Sequence, residues 1–157
     1  GERTVLDLLG EEYRNIGLFP AGRLDKDTEG LLLLTNDGPL AHRLLSPRHH
    51  VDKTYLVRAD GPFTAEDVAA FAGGLSLEDG QTCLPARLEP LAEPGEALVT
   101  LQEGKFHQIK RMTAARGKQV LYLKRLTMGP LGLDGELVPG AWRPLRGEER
   151  EALGLKG

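Results

Sequence analysis

One carboxylate stands in a short polar segment that could hold it for catalysis. Asp25 lies between Gly22 and Gly30, and four leucines follow at positions 31–34. A carboxylate can act as a nucleophile or as a general base when rigid backbone fixes its position. An aspartate between glycines can also do no more than hydrogen bond its own turn. Asp25 is therefore a candidate catalytic residue whose surroundings must decide between these roles.

The segment after Asp25 predicts the element that would position this carboxylate. Its four leucines are bounded by turn residues, and an apolar run this short is typical of a buried strand. We therefore expect a strand over residues 31–35 that fixes the turn before it. Arg23 lies two residues before the carboxylate, close enough along the chain to pair with it or with a phosphate.

The rest of the chain predicts a mixture of helices and strands. Capping residues with helical apolar spacing indicate helices, and alternation of polar and apolar residues indicates strands. Helices are expected over residues 4–13, 39–45, 65–72 and 106–116. Strands are expected over residues 53–59, 97–102, 119–128 and 142–145. Because no regular βαβ repetition is present, the chain is predicted to be an α+β domain around a largely antiparallel sheet flanked by helices.

The composition is ordinary for a globular protein. Hydrophobic residues make up 40% of the 157 residues and charged residues 27%, which suits one domain over residues 1–157. No apolar run has the length that a membrane span requires, and no secretory leader is visible. A single cysteine, Cys83, is typical of a reducing compartment. The simplest expectation is a cytoplasmic monomer.

The charges are distributed unevenly along the chain. Residues 101–128 contain seven basic residues and one acidic residue, whereas residues 60–96 contain eight acidic residues and one basic residue. A local basic surface can bind phosphates even when the whole protein is acidic, because the potential of distant charges is screened. The sequence therefore predicts a nucleic-acid-binding surface at 101–128. The alternative is two solvated surfaces of opposite charge on opposite sides of the domain.

Three sequence motifs in a fixed order carry a family resemblance. They are Gly-Arg-Leu-Asp within residues 22–38, Lys-Thr-Tyr within residues 46–57 and Lys-Phe-His-Gln-Ile-Lys-Arg within residues 103–112, followed by an apolar strand at 123–131. Together they resemble the motifs of the pseudouridine synthases, in the branch that modifies ribosomal RNA and includes the small-subunit (16S) enzyme. The resemblance implies the fold of that family and the isomerisation of a uridine in ribosomal RNA.

The resemblance also implies roles for particular residues. Asp25 would be the catalytic aspartate, and Lys110, where many relatives carry arginine, would pair with it and keep it ionised. Tyr55 would pack on the target uracil, and Leu126 would line the floor of the pocket. Arg111, one position further around its helix, would face a phosphate. The predicted substrate-binding residues are Arg23, Tyr55, Lys110, Arg111 and Leu126.

Other implications concern partners and domain content. The expected partner is ribosomal RNA or a pre-ribosomal particle, without a membrane. Family members usually carry a Lys-Pro-x-Gly strand before the position of Thr4 and an N-terminal RNA-binding module, and neither is expected here. The alternatives are a large-subunit (23S) ribosomal RNA synthase of the same branch and a non-catalytic RNA-binding assembly factor on the same fold.

Signals for bound ions or cofactors are weak in this sequence. Asp25, Asp27 and Glu29 imitate the start of a calcium loop, but its twelfth position is Asn36 instead of glutamate. The four histidines and Cys83 lack the spacing of a zinc site. No glycine-rich phosphate loop is present. We therefore expect neither metal nor cofactor.

Overall fold

The computed structural model describes residues 5–13, 15–22, 24–105 and 107–155, without the side chain of Pro47. The strands are β1 (Phe19–Pro20), β2 (Glu29–Gly30), β3 (Leu34–Thr35), β4 (Lys53–Ala59), β5 (Arg87–Pro90), β6 (Glu96–Leu101), β7 (Val120–Met128) and β8 (Leu131–Gly132). The helices are α1 (Gly38–Leu45), α2 (Ala65–Ala72), α3 (Gln108–Ala115) and α4 (Gly147–Ala152), with 3₁₀ turns at Val5–Leu8, Glu11–Tyr13 and Pro47–His49. Among these residues, no helix has the length and apolar character needed to cross a membrane.

The main sheet has the order β2-β7-β4-β6-β5, and β8 pairs with the end of β7 at Thr127 and Met128. All of its pairings are antiparallel except β2 with β7, which is parallel. The short strands β1 and β3 form a separate antiparallel pair. The prediction of an α+β domain around a largely antiparallel sheet is therefore confirmed.

The core contains two clusters of buried side chains. The larger one joins β4, β5, β6 and β7 to α2 and α3, with Val57, Val99, Phe71 and Met112 completely buried. The smaller one joins α1 to the end of β7 and contains Leu40, Leu44 and Met128. The segment that carries Asp25 connects the two sheets, because β1 precedes it and β2 and β3 follow it.

Six predicted elements form where the local sequence indicates them. Strand β4 has the bounds expected from its alternation, and β6, β7 and α1 differ from expectation by a residue or two. Helix α2 begins at a reciprocal cap, in which Thr64 and Asp67 each accept a hydrogen bond from the other's backbone N–H. Helix α3 buries Ile109, Met112 and Thr113 as expected, and the predicted start at Phe106 lies outside the described residues.

The strand predicted at residues 31–35 is wrong. The chain forms β2 before the leucines and β3 at their end, and these two short strands belong to different sheets. Gly30 has φ +110°, and a β-carbon there would overlap the backbone of Arg125. The pairing with β7 ends at Leu31, whose N–H donates to Arg125 O at 2.9 Å. The leucines therefore link two sheets instead of forming one strand.

Two further predicted elements differ from the structure. Residues 5–13 form two 3₁₀ turns separated by Gly10, a poor helix residue, and the predicted cap Thr4 lies outside the described residues. Residues 142–145 form no strand. Pro144 cannot donate a ladder hydrogen bond, and Arg143 instead pairs with Asp134 at 3.0 Å and Glu149 at 2.7 Å.

Candidate active site

Asp25 lies in a tight turn at the edge of the main sheet. The N–H of Thr28 donates to Asp25 O at 2.9 Å and closes the turn. On either side the chain is anchored, because Ala21 N donates to Leu33 O at 2.8 Å and β2 pairs with β7. The carboxylate itself is 27% exposed, so it is held by the fold while remaining accessible.

Two cationic or potentially cationic side chains from the start of α3 face this carboxylate. Lys110 Nζ lies 3.4 Å from Asp25 Oδ2, and His107 Nε2 lies 3.5 Å from Asp25 Oδ1. His107 precedes α3 with φ 48°, in the left-handed region that a residue with a β-carbon rarely adopts. Lys110 lies in the first turn of α3, so the two side chains reach the same carboxylate from the N-terminal end of this helix.

Lys110 also binds a second aspartate of the turn. Its Nζ donates to Asp27 Oδ1 at 2.6 Å. This hydrogen bond, together with the charge of Asp25, raises the pKa of Lys110 above its ordinary value. The same hydrogen bond lowers the pKa of Asp27. Lys110 is therefore a permanent cation at neutral pH, positioned between two carboxylates.

Tyr55 lies on the side of the sheet that α3 covers. Its side chain is partly buried against the larger core cluster, whereas its neighbour Thr54 faces the other side and hydrogen bonds Thr100 at 3.0 Å. Across the sheet Tyr55 is paired with Arg125, which in turn is paired with Gly30 at the end of the Asp25 turn. The register thus places Tyr55 two strands from the turn.

Leu126 lies at an irregularity of β7. Thr54 is paired with Thr127 and Tyr55 with Arg125, so Leu126 is an extra residue in the ladder. Such bulges reorient side chains locally. Leu126 is partly buried, and its carbonyl accepts a hydrogen bond from Leu133 at 2.8 Å. The remaining predicted residue, Arg23, lies outside the described residues.

Arg111 is directed away from Asp25 toward an acidic turn. Its Nε lies 3.0 Å from Glu78 Oε1 and its Nη2 lies 2.6 Å from Asp79 Oδ2. An open cleft of about 610 Å³ lies here, lined by Glu78, Asp79, Gln81, Lys105, His107 and Arg111. His107 belongs both to this cleft and to the Asp25 group, so the two are neighbours.

The acidic and basic segments are not on opposite sides of the domain. Besides the pairing of Arg111, Arg116 Nε lies 2.8 Å and Lys118 Nζ 2.7 Å from the carboxylate of Asp67. Asp67 is only 1% exposed; burial alone would raise its pKa, but hydrogen bonds from Lys118, Thr64 and Arg116 outweigh burial and lower it. Opposite charges attract across the fold, which a count along the chain does not show. Part of the predicted basic surface is therefore neutralised.

Three residues of this region were missed in the sequence. His107 lies three positions before Lys110, and this helical spacing is the signal that could have indicated it. Asp27 was considered only as part of a calcium loop. Arg125 gives no local signal, because its importance arises from contacts with residues about a hundred positions away. Among the residues that the structure describes, no three His, Cys, Asp or Glu side chains are arranged to hold a metal ion.

Comparison with known proteins gives consistent matches. Residues 2–115 match the family described as RNA pseudouridylate synthase. The chain is 49% identical over 155 residues to an uncharacterized RNA pseudouridine synthase of Bacillus subtilis, covering 97% of this chain and 65% of that protein. It is 45% identical over 152 residues to ribosomal small subunit pseudouridine synthase A of Yersinia pestis, covering 96% of this chain and 64% of that protein.

A solved structure is similar as well. The crystal structure of a pseudouridylate synthase superposes with a TM-score of 0.89 at 41% identity, over 96% of this chain and 65% of that one. The chain thus spans slightly less than two thirds of the length of these proteins. The family match covers most of the chain and includes Asp25, Tyr55 and Lys110. The resemblance found in the motifs is confirmed, and the chain belongs to the RNA pseudouridylate synthase family.

Proposed function

We propose that the protein converts a uridine of ribosomal RNA into pseudouridine, and that its substrate is small-subunit 16S RNA. The observation that carries the proposal is the Asp25 carboxylate in its anchored turn, with Lys110 and His107 at 3.4 and 3.5 Å. The similarity to ribosomal small subunit pseudouridine synthase A of Yersinia pestis supports the choice of RNA. The protein is further proposed to act in the cytoplasm as a monomer. Sedimentation of the purified protein would test the monomeric state.

The proposed reaction is an internal rearrangement of the nucleotide. The bond from ribose C1′ to uracil N1 breaks, and the same ribose carbon is joined to C5 of the rotated base. C5 loses a proton and N1 gains one, so substrate and product contain the same atoms. Asp25 would act as the nucleophile or general base toward the sugar or the base. Lys110 and His107 would hold its two oxygens in place during this step.

The other predicted residues are proposed to bind the substrate. Tyr55 would offer a ring surface to the uracil, an interaction that every base allows. Leu126 would contribute an apolar surface at the bulge next to Tyr55. Arg23 would contact Asp25 or a phosphate. Arg111 would reach a phosphate by exchanging its contacts with Glu78 and Asp79, which lie at an accessible cleft.

The test compares two aspartates of the same turn. Pseudouridine is mapped in 16S transcripts after incubation with the full-length protein. Asp25→Asn keeps the shape of the side chain but removes its charge, and it should lower the rate about a thousandfold or more, the scale for loss of a nucleophile. Asp27→Asn is the matched control, because Asp27 lies in the same turn and also binds Lys110 but is far more exposed than Asp25. It should lower the rate by about tenfold at most.

Each other outcome contradicts a stated part of the proposal. Equal losses of rate for Asp25→Asn and Asp27→Asn would contradict the assignment of Asp25 as the catalytic aspartate. Modification of 23S RNA but not of 16S RNA would show that the substrate is large-subunit RNA. Tight RNA binding by the wild-type protein without any isomerisation would identify a non-catalytic binding protein.

A further inference from the structure

Arg125 is a buried cation whose partners are backbone carbonyls. It lies on β7 in the middle of the main sheet and is 3% exposed. Within the described parts of the chain, no carboxylate lies within 4.0 Å of its guanidinium nitrogens, whereas Lys110, Arg111, Arg116 and Lys118 all have such a partner. A buried charge is costly unless fixed dipoles or an opposite charge compensate it. An ion pair therefore does not account for the burial of the Arg125 charge.

The carbonyls that Arg125 binds are the two ends of the Asp25 turn. Its Nε donates to Leu31 O at 2.9 Å, and its Nη2 donates to Gly22 O at 3.5 Å. The backbone of Arg125 adds a third contact, because its carbonyl accepts the Leu31 N–H at 2.9 Å. One rigid, planar group thus spans the segment that begins at Gly22 and ends at Leu31. The distance between the two ends is set by the geometry of the guanidinium.

Gly22 and Gly30 allow this close contact with Arg125. Gly22 has φ +87°, and a β-carbon there would lie 3.6 Å from Arg125 Nη1 and 2.8 Å from Leu45. Gly30 packs directly on the Arg125 backbone. The two glycines that bracket Asp25 therefore serve the same purpose. They allow the turn to lie against β7, where Arg125 binds both of its ends.

We infer that Arg125 is a positioning residue for the Asp25 carboxylate. This inference rests on the proposed isomerase function, to which it adds a residue that does not itself touch the reacting atoms. Arg125 fixes the two ends of the turn, and the turn aims the carboxylate at the space between Lys110 and His107. A lysine in its place would keep the charge but could not bind both carbonyls with one planar group.

The neighbourhood of Arg125 agrees with a role beyond packing. Lys53, 4% exposed and two residues before Tyr55, is a second buried cation. Burial and the charge of Arg125 lower the pKa of Lys53. Two buried cations that repel each other are unfavourable for stability alone, and apolar residues of similar size would pack there at lower cost.

The experiment uses the full-length protein and the variants Arg125→Lys and Arg125→Ala. Misplacement of a catalytic group by about 1 Å can cost about a hundredfold, so kcat should fall by that factor while KM for 16S transcripts changes little. Backbone hydrogen exchange at Thr28 and Leu31 should become at least about tenfold faster. Millimolar guanidinium should restore part of kcat in Arg125→Ala, because it can reoccupy the space of the missing group.

Arg116→Ala is the matched control. It removes a partner of the buried Asp67 at a distance from the Asp25 turn, so it should reduce stability without changing exchange at Thr28 or Leu31. Guanidinium should not raise its kcat.

The outcomes separate the inference from the proposed function. Unchanged exchange at Thr28 and Leu31 in both Arg125 variants would overturn the inference, and so would a raised KM with an unchanged kcat. If Arg125→Ala does not fold, Arg125→Lys alone decides through the same two measurements. If the wild-type protein does not isomerise uridine, the proposed function fails. The exchange data then still decide whether Arg125 orders the turn.

Discussion

The two ends of helix α3 carry ion clusters built from the same kinds of side chain, yet the clusters differ in how completely they are satisfied. At the C-terminal end, Arg116 and Lys118 approach the buried Asp67 to 2.8 and 2.7 Å. At the N-terminal end, His107 and Lys110 stay 3.5 and 3.4 Å from a partly exposed Asp25. The first cluster has little capacity for further partners, because Asp67 is also a helix cap.

This difference indicates which cluster stabilises the fold and which can react. A carboxylate whose oxygens are occupied by short hydrogen bonds in a buried site is a poor nucleophile but a strong link between elements. A carboxylate with longer contacts and open access can exchange a cation contact for a contact with substrate. Residue type alone does not distinguish these cases, whereas burial and distance do.

The largest expected effect is on stability, at the C-terminal cluster. Asp67→Ala removes the carboxylate that Arg116 and Lys118 share and the acceptor of the Thr64 N–H in the cap of α2, and it should lower the free energy of unfolding by about 3 kcal/mol or more. Urea denaturation measures this loss. Asp25→Ala should change the same quantity by less than about 1 kcal/mol, because its contacts are longer and more exposed. Similar losses of free energy for the two variants would contradict the distinction between the Asp67 and Asp25 clusters.

The Asp67 cluster should also make stability depend on acid. Because the folded state lowers the pKa of Asp67 from 3.8, its contribution is complete above about pH 4 and is lost as pH falls further. Denaturation curves for the wild type and Asp67→Asn should therefore converge with acidification below about pH 4. A constant difference between them down to pH 2 would contradict the lowered pKa.

The second effect concerns catalysis at the N-terminal cluster. Lys110→Met removes the cation that faces Asp25, and it should lower kcat by about a hundredfold. Lys118→Met removes a lysine of the same helix region and should leave kcat within about threefold, although it reduces stability. Single-turnover isomerisation by the folded variants measures both. A comparable loss of kcat in the two variants would show that distance to Asp25 is not what matters.

The third effect tests whether the N-terminal cluster acts on the base itself. RNA with 5-fluorouridine at the target lacks the C5 hydrogen whose loss completes the proposed reaction, so the protein should retain it longer than normal RNA. Retention should disappear in Asp25→Asn. Tyr55→Ala should weaken it by about 1–3 kcal/mol through loss of a stacking surface. Equal retention of fluorinated and normal RNA by the wild type would indicate binding without chemistry.

The smallest effect is on the salt dependence of RNA binding. If Arg111 exchanges its acidic partners for a phosphate, Arg111→Ala should reduce the slope of log K against log salt by about one charge. Arg116→Ala should leave the slope unchanged, because Arg116 is paired with the buried Asp67. Filter binding of a 16S fragment at several salt concentrations measures both slopes. A reduced slope only in Arg116→Ala would reverse the assignment of the two clusters.

The elements that local patterns determine were predicted well. The alternation within β4 predicted its bounds, and the capping residue Thr64 predicted the start of α2. The motif resemblance indicated the pairing of Lys110 with Asp25, and the structure places them 3.4 Å apart. In each case the information lies within a few residues or in an ordered set of motifs.

The features that escaped prediction depend on contacts distant along the chain. Four leucines are typical of one strand, but β2 ends at Gly30 against Arg125 and the leucines link it to β3 in another sheet. The pairing of Arg111 with Glu78 requires α3 to pack beside a turn 33 residues earlier. Arg125 binds carbonyls 94 and 103 positions away. Neither periodicity nor charge counting can reveal these contacts.

The backbone conformation of His107 has a consequence for how this protein could change over generations. Its φ of 48° costs a residue with a side chain on the order of 1 kcal/mol, and glycine would adopt it freely. Selection for heat resistance alone would therefore favour glycine at position 107, whereas the proposed reaction would favour the imidazole 3.5 Å from Asp25. Under the proposed function, the most durable sequence and the most active one differ at this position.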